Sequence, residues 1–99
     1  MSAKPVFEFV HLGENKFSLS GRLDASTAEQ LEAELNKFSS AITLELSKLN
    51  YISSAGLGVL LAAQQRLSEV SADLTIISLQ PQVRHVFEVV GFDKIFNLE

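Results

Sequence analysis

Two adjacent serines stand at one junction of the chain, within Leu49-Asn50-Tyr51-Ile52-Ser53-Ser54-Ala55-Gly56-Leu57-Gly58-Val59-Leu60-Leu61. The order reads as the end of a loop, the serine pair, and then an apolar helix. A helix N-terminus carries unpaired backbone N–H groups and a partial positive charge. A serine hydroxyl there caps the helix, contributing about 1 kcal/mol. A phosphate on such a serine sits in a field that favours its charge. One cap suffices, yet two serines are present, followed by Ala55 and Gly56, which are small enough for another protein to approach closely. Ser53 and Ser54 therefore each carry two readings, helix cap and phosphoacceptor. Asp24, just ahead of the first predicted helix, reads as an N-cap.

Other chemistry is sparse. The sequence holds no Walker loop, no full dinucleotide glycine fingerprint and no His pair at the helical spacing that binds metal. Gly56-x-Gly58 lacks the third glycine and falls inside a helix rather than at a strand-to-helix turn. His11 lies in a predicted hairpin loop and His85 beside the apolar face of the third helix, so both read as surface residues rather than catalytic bases. Glu29, Glu32, Glu34 and Glu69 fall on predicted polar faces and read as solvated carboxylates. With no cysteine, disulfides, thiolate zinc sites and Cys nucleophiles are excluded. The expectation is a chain that is not an enzyme and binds no metal or cofactor of its own.

Composition narrows the class further. Ninety-nine residues, 46% hydrophobic and 20% charged, predict one folded domain spanning residues 1–99 rather than a disordered chain. A net charge of −4 with scattered Lys and Arg argues against a nucleic-acid partner. Met1-Ser2-Ala3-Lys4-Pro5 lacks the apolar segment of a signal peptide, and the longest apolar run, Val59 to Ala63, is far short of a membrane span. A cytoplasmic protein with no membrane partner is expected.

The elements that must position the serines follow from patterning. Val6, Phe7, Phe9 and Val10 predict a strand, His11 to Asn15 a turn, and Phe17 and Leu19 a second strand closing a hairpin. Gly21-Arg22-Leu23-Asp24 leads into a helix whose inner face is Ala28, Leu31, Leu35 and Phe38, with Ser26 and Glu29 at capping-box spacing. Ile42, Leu44 and Leu46 alternate as a strand before the serine turn. Leu57, Leu60, Leu61 and Leu67 form the apolar face of the second helix. Leu74 to Leu79 predicts a strand buried on both faces. Pro81 opens a third helix lined by Val83, Val86, Phe87 and Val90, with Gly91 its C-cap, and Ile95, Phe96 and Leu98 predict a last strand. The order β-β-α-β-α-β-α-β calls for an α/β fold: a mixed sheet with an N-terminal hairpin and right-handed parallel crossovers, helices packed on it.

Taken in order, Gly21-Arg22-Leu23-Asp24, Leu44-Glu45-Leu46, Tyr51-Ile52-Ser53-Ser54-Ala55-Gly56-Leu57-Gly58-Val59-Leu60, Pro81-Gln82-Val83-Arg84-His85-Val86-Phe87 and Val89-Val90-Gly91-Phe92 resemble the STAS family, the domain of bacterial anti-sigma factor antagonists. The resemblance runs nearly end to end. In that family the second helix opens on Asp-Ser-Ser-Gly or Asp-Ser-Ala-Gly, and the residue after the acid accepts phosphate from a partner serine kinase. The resemblance implies that Ser54 is the phosphoacceptor and that Gly56 matches the motif glycine. It implies that Asp24 matches the acid of the family's Gly-Glu-Leu-Asp turn near the phosphorylation site. Ser53 stands where the family has its acid, which makes Ser53 a second candidate acceptor. The implied function is partner switching. Asp24 and the Ser53-Ser54-Ala55-Gly56-Leu57 turn would dock on an anti-sigma factor or similar GHKL-type serine kinase, and a serine phosphatase would reset the modified form. ATP and magnesium would belong to the kinase. The alternative within the family is a constitutive, non-phosphorylated subunit of another complex, such as a lipid-transport ATPase or a motility or biofilm regulator.

Overall fold

The computed structural model describes residues 6–99; the Met1–Pro5 segment, and with it the signal-peptide reading, lies outside the described residues. The elements are β1 (Phe7–Gly13), β2 (Lys16–Leu23), α1 (Ala28–Leu35), β3 (Ile42–Ile52), α2 (Ser54–Ser68), β4 (Leu74–Ile77), α3 (Pro81–Val89), a short 3-10 turn (Phe92–Lys94) and β5 (Asn97–Leu98). The five strands lie side by side in chain order. β1 pairs antiparallel with β2, and every later pair is parallel. Each right-handed crossover steps the same way across the sheet, which puts all three helices on one face. Leu31 and Leu35 of α1, Leu57, Leu60 and Leu67 of α2, and Val83 and Phe87 of α3 share one core cluster with Leu19, Leu44 and Ile76 of the sheet.

The one-sided covering corrects the reading of the fourth strand. Leu74 and Ile76 are buried, whereas Thr75 and Ile77 on the other face are only half-buried, because no helix crosses there. Three other expectations shift at element ends. The hairpin turn is tighter than predicted: His11 and Leu12 remain in β1, and Glu14 takes a positive φ in the turn. Phe38 lies beyond the end of α1 and packs its ring 4.8 Å from that of Phe17. The last strand is only Asn97–Leu98; Ile95 and Phe96 belong to the turn before it, where Phe96 packs against Phe87 and Phe92. Gly91 follows α3 in the left-handed conformation expected of a C-terminal glycine.

The largest departure concerns β3, which continues through Asn50, Tyr51 and Ile52 where a loop end is predicted. Its register with β2 slips twice, between Ser18↔Glu45 and Ser20↔Lys48 and again between Gly21↔Leu49 and Arg22↔Tyr51. Each slip leaves one extra residue on β3, a bulge. The alternation of buried Ile42, Leu44 and Leu46 is thereby broken at Leu49 and Ile52, both buried, and the sequence loses its strand signature.

α2 is set close against the sheet. A Cβ at Gly56 would lie 2.6 Å from Leu23 Cγ and 3.1 Å from Ile52 Cγ1, so only glycine permits this approach. At the far end, Arg66 donates to the carbonyl oxygens of Leu35 and Phe38 at 2.8 and 2.6 Å, tying α2 to the end of α1 and the segment after it. Two neighbouring glycines therefore predict opposite outcomes. Gly56→Ala pushes against fully buried Leu23, an overpacking cost of about 1–3 kcal/mol that outweighs a helix-propensity gain of up to about 1 kcal/mol. Gly58 has open space around its Cβ position, so Gly58→Ala keeps the gain alone. Urea unfolding of the two variants is expected to bracket the parent; equal midpoints would show that α2 does not rest on Leu23.

Candidate functional site

The parallel pairing of β2 with β3 places the turns that follow them side by side. Leu23 and Ile52 are register partners, and one residue further the Ser53 N–H donates to the Leu23 carbonyl at 2.9 Å. Asp24 and Ser53 thus leave the sheet together at its C-terminal edge, where parallel strands of α/β folds present their sites.

The two serines divide their roles. Ser53 is the N-cap of α2, extended at φ −99° and ψ 174°, half-buried, with its Oγ accepting from the Gly56 N–H at 3.4 Å. Its carbonyl accepts from the Leu57 N–H at 2.9 Å. Ser54 is the first residue of the helix; its side chain is exposed and makes no hydrogen bond among the described residues. The N–H groups of Ser54 and Ala55 have no acceptor within the helix, and the first turn holds no acidic side chain. An anion on Ser54 would therefore meet free donors and the positive end of a helix dipole, with no carboxylate of the same turn opposing it.

Asp24 closes the neighbouring turn rather than capping α1 directly. Its Oδ1 accepts from the Ser26 hydroxyl at 2.7 Å and the Ser26 N–H at 3.0 Å, while its carbonyl accepts from the Ala28 N–H at 2.8 Å. The Ser26 hydroxyl, foremost, holds the Asp24 carboxyl below its ordinary value; desolvation opposes this, and the Ser26 amide and Thr27 add to it. The expected capping box from Ser26 to Glu29 does not form. Thr27 occupies the N-cap position of α1 and turns its hydroxyl back, donating to the Arg22 carbonyl and accepting from the Asp24 N–H, each at 2.9 Å.

Arg22 and Tyr51 frame the paired turns. The Arg22 guanidinium carbon sits 4.1 Å from the Tyr51 ring centre, and Arg22 Nε lies 3.8 Å from Asp24 Oδ2. Sequence patterning passes over this pair because the register that joins them runs through a bulge. The histidines stand apart from the serines. His11 pairs with Phe17 near the hairpin turn, six β2 residues from Leu23, about 20 Å away at strand rise. Its ring stacks on Phe17 and its Nε2 is bonded to the Glu14 carbonyl. His85 is exposed on α3, and neither histidine is hydrogen-bonded to Ser53 or Ser54 among the described residues.

Comparison with known proteins bears on the fold. A family model described as "Mlab, STAS domain" matches residues 11–98. A Bordetella bronchiseptica protein bearing the name "Putative anti-sigma factor antagonist BtrV" is 45% identical over 82 residues, covering 79% of this chain and 71% of its own. The crystal structure of an anti-sigma factor antagonist from Mycobacterium paratuberculosis superposes with a TM-score of 0.82 at 26% identity, covering 99% of this chain and 89% of that one. Bacillus SpoIIAA, solved in its phosphorylated form, shares the fold with a TM-score of 0.65 at 22% identity, over 94% of this chain and 90% of that one. The family model spans most of the chain and the solved neighbours share its fold over nearly their whole length, and the chain belongs to the STAS domain family.

Proposed function

We propose that this protein is an anti-sigma factor antagonist whose docking is switched by phosphorylation of Ser54. The observation that carries the reading is the division of labour at the turn. Ser53 Oγ is engaged as a helix cap, while the Ser54 hydroxyl is exposed and uncommitted. Supporting it are the named roles of the BtrV relative and the Mycobacterium neighbour, and the phosphorylated state in which SpoIIAA was solved.

In the unmodified state, Asp24, Ser53, Ser54 and Ala55 present the docking turn for an anti-sigma factor of the GHKL serine-kinase type; Gly56 and Leu57, expected to take part in it, are buried against the sheet and hold the turn in place instead. The partner supplies ATP and magnesium and transfers phosphate to Ser54 Oγ; the chain itself acts as substrate and ligand, not as enzyme. Phosphate adds about −1.5 to −2 charge. The free N–H groups of α2 accommodate it within the fold, so its effect falls on the interface, where the new charge and its desolvation oppose docking. A serine phosphatase reverses the step. The cytoplasm, where such partners work, is the proposed compartment; no helix among the described residues is long and apolar enough to cross a membrane.

One observation favours the constitutive-subunit reading: Ser53 occupies the position of the family's acid. Phosphopeptide mass spectrometry on the protein isolated from its host, in growth and in stress, separates the two. Phosphate on Ser54 that varies with condition is the expected result. Phosphate on Ser53 alone overturns the residue assignment, and an unmodified turn peptide in every condition overturns the switch. The division of roles also predicts distinct variants. Ser53→Ala is expected to lower stability by about 1 kcal/mol in thermal or urea unfolding, and Ser54→Ala to leave it within about 0.5 kcal/mol while abolishing phosphate incorporation.

A further inference from the structure

Beside the serine turn, on the sheet face that carries no helix, lies an open groove of about 690 Å³. Its walls come from the irregular part of the sheet. The two β3 bulges turn Ser47, Lys48 and Asn50 into it, and β2 contributes Gly21 and Arg22. Gly21 holds φ +91°, and a Cβ there would fall 2.1 Å from the Val6 carbonyl oxygen, which accepts from the Arg22 N–H at 2.8 Å. Gln80, ahead of α3, fastens the far wall by donating to the Ser47 carbonyl at 2.7 Å and to Asn50 Oδ1 at 3.3 Å. Two bulges that break the register and a positive-φ glycine all fall here. Bulges concentrate where a sheet must re-aim side chains.

The groove also differs in charge from the rest of the molecule. The chain carries twelve acidic and eight basic side chains, yet two cations, Arg22 and Lys48, meet one anion, Glu8, in this groove. Lys48 is exposed and has no ion-pair partner among the described residues. Arg22 rests over the Tyr51 ring and at 3.8 Å from Asp24, contacts that an incoming carboxylate can displace or join. Arg22 joins the groove to the Asp24 turn, whose neighbour across the strand ends is Ser53.

We infer that this groove is a second part of the docking surface and receives an acidic segment of the protein that engages the Ser54 turn, with Arg22 and Lys48 selecting for its carboxylates. The inference rests on the docking role proposed above and adds the chemistry of the partner. Steering by complementary charge raises the encounter rate and rejects partners that present a basic surface. Asn50 Nδ2, which makes no hydrogen bond among the described residues, can donate to a backbone carbonyl of an extended segment.

The test is an amide chemical-shift titration of the isotopically labelled full chain with three probes at matched concentration: a short glutamate-rich peptide, a lysine-rich peptide of equal length, and inorganic phosphate. The glutamate peptide is expected to shift Arg22, Ser47, Lys48 and Asn50. Lys48→Glu, and Arg22→Glu combined with it, are expected to weaken that binding, the double variant by about tenfold. Lys48 is exposed, so the single variant keeps the inference testable should Arg22→Glu disturb the turn. Equal shifts from the lysine peptide, shifts centred on other lysines, phosphate alone reproducing the pattern, or no shift from the glutamate peptide each overturn it. Phosphate on Ser54 of the unaltered chain is scored by mass spectrometry independently of the titration, so loss of the groove and loss of the switch are separately visible.

Discussion

The arrangement depends on how closely α2 rests on the ends of β2 and β3. One backbone hydrogen bond, from Ser53 N–H to the Leu23 carbonyl, carries the parallel ladder one step past the last paired residues. Gly56 then lets the helix axis settle onto Leu23 and Ile52 at a distance no side chain would allow. Both partners of that contact are buried, so the helix N-terminus is fixed to the sheet rather than carried on a mobile loop. The placement of Ser54 and the adjacency of Asp24 both follow from it.

A fixed helix terminus makes a particular kind of site. It offers hydrogen-bond donors and a positive field beside an exposed hydroxyl. What it presents is a surface whose charge can be changed without repacking the interior. Ser53 keeps the cap while Ser54 is free to change. Asp24, tied by Ser26 and Thr27, stands beside the turn with its carboxyl held below the ordinary value. The proposed switch is therefore an event at an interface, with the fold as its unchanging support.

Sequence patterning made the helices and the parallel order legible because their signals are local and periodic. The serine turn was legible for the same reason: residue type and position before an apolar helix determine what a cap can be. Which serine caps was not, since that depends on the backbone angles of Ser53 and on the distance to the Gly56 N–H. The last third of β3 was hidden because two bulges erase the alternation that marks a strand, and with it went the pairing of Arg22 with Tyr51 and the whole groove. The one-sided burial of β4 was hidden differently. Its apolar run is compatible with helices on both faces, and only the uniform direction of the crossovers decides between them.

The most direct test of this account is to prepare the chain with phosphoserine incorporated at position 54 and compare its unfolding midpoint and amide spectrum with the unmodified protein. If the α2 N-terminus accommodates the charge, the midpoint is unchanged or raised, and shifts are confined to the Ser53–Leu57 turn and the adjacent Asp24 turn. A lowered midpoint, or shifts spreading through the sheet and core, would contradict the claim that the fold is a rigid support on which only the surface charge changes.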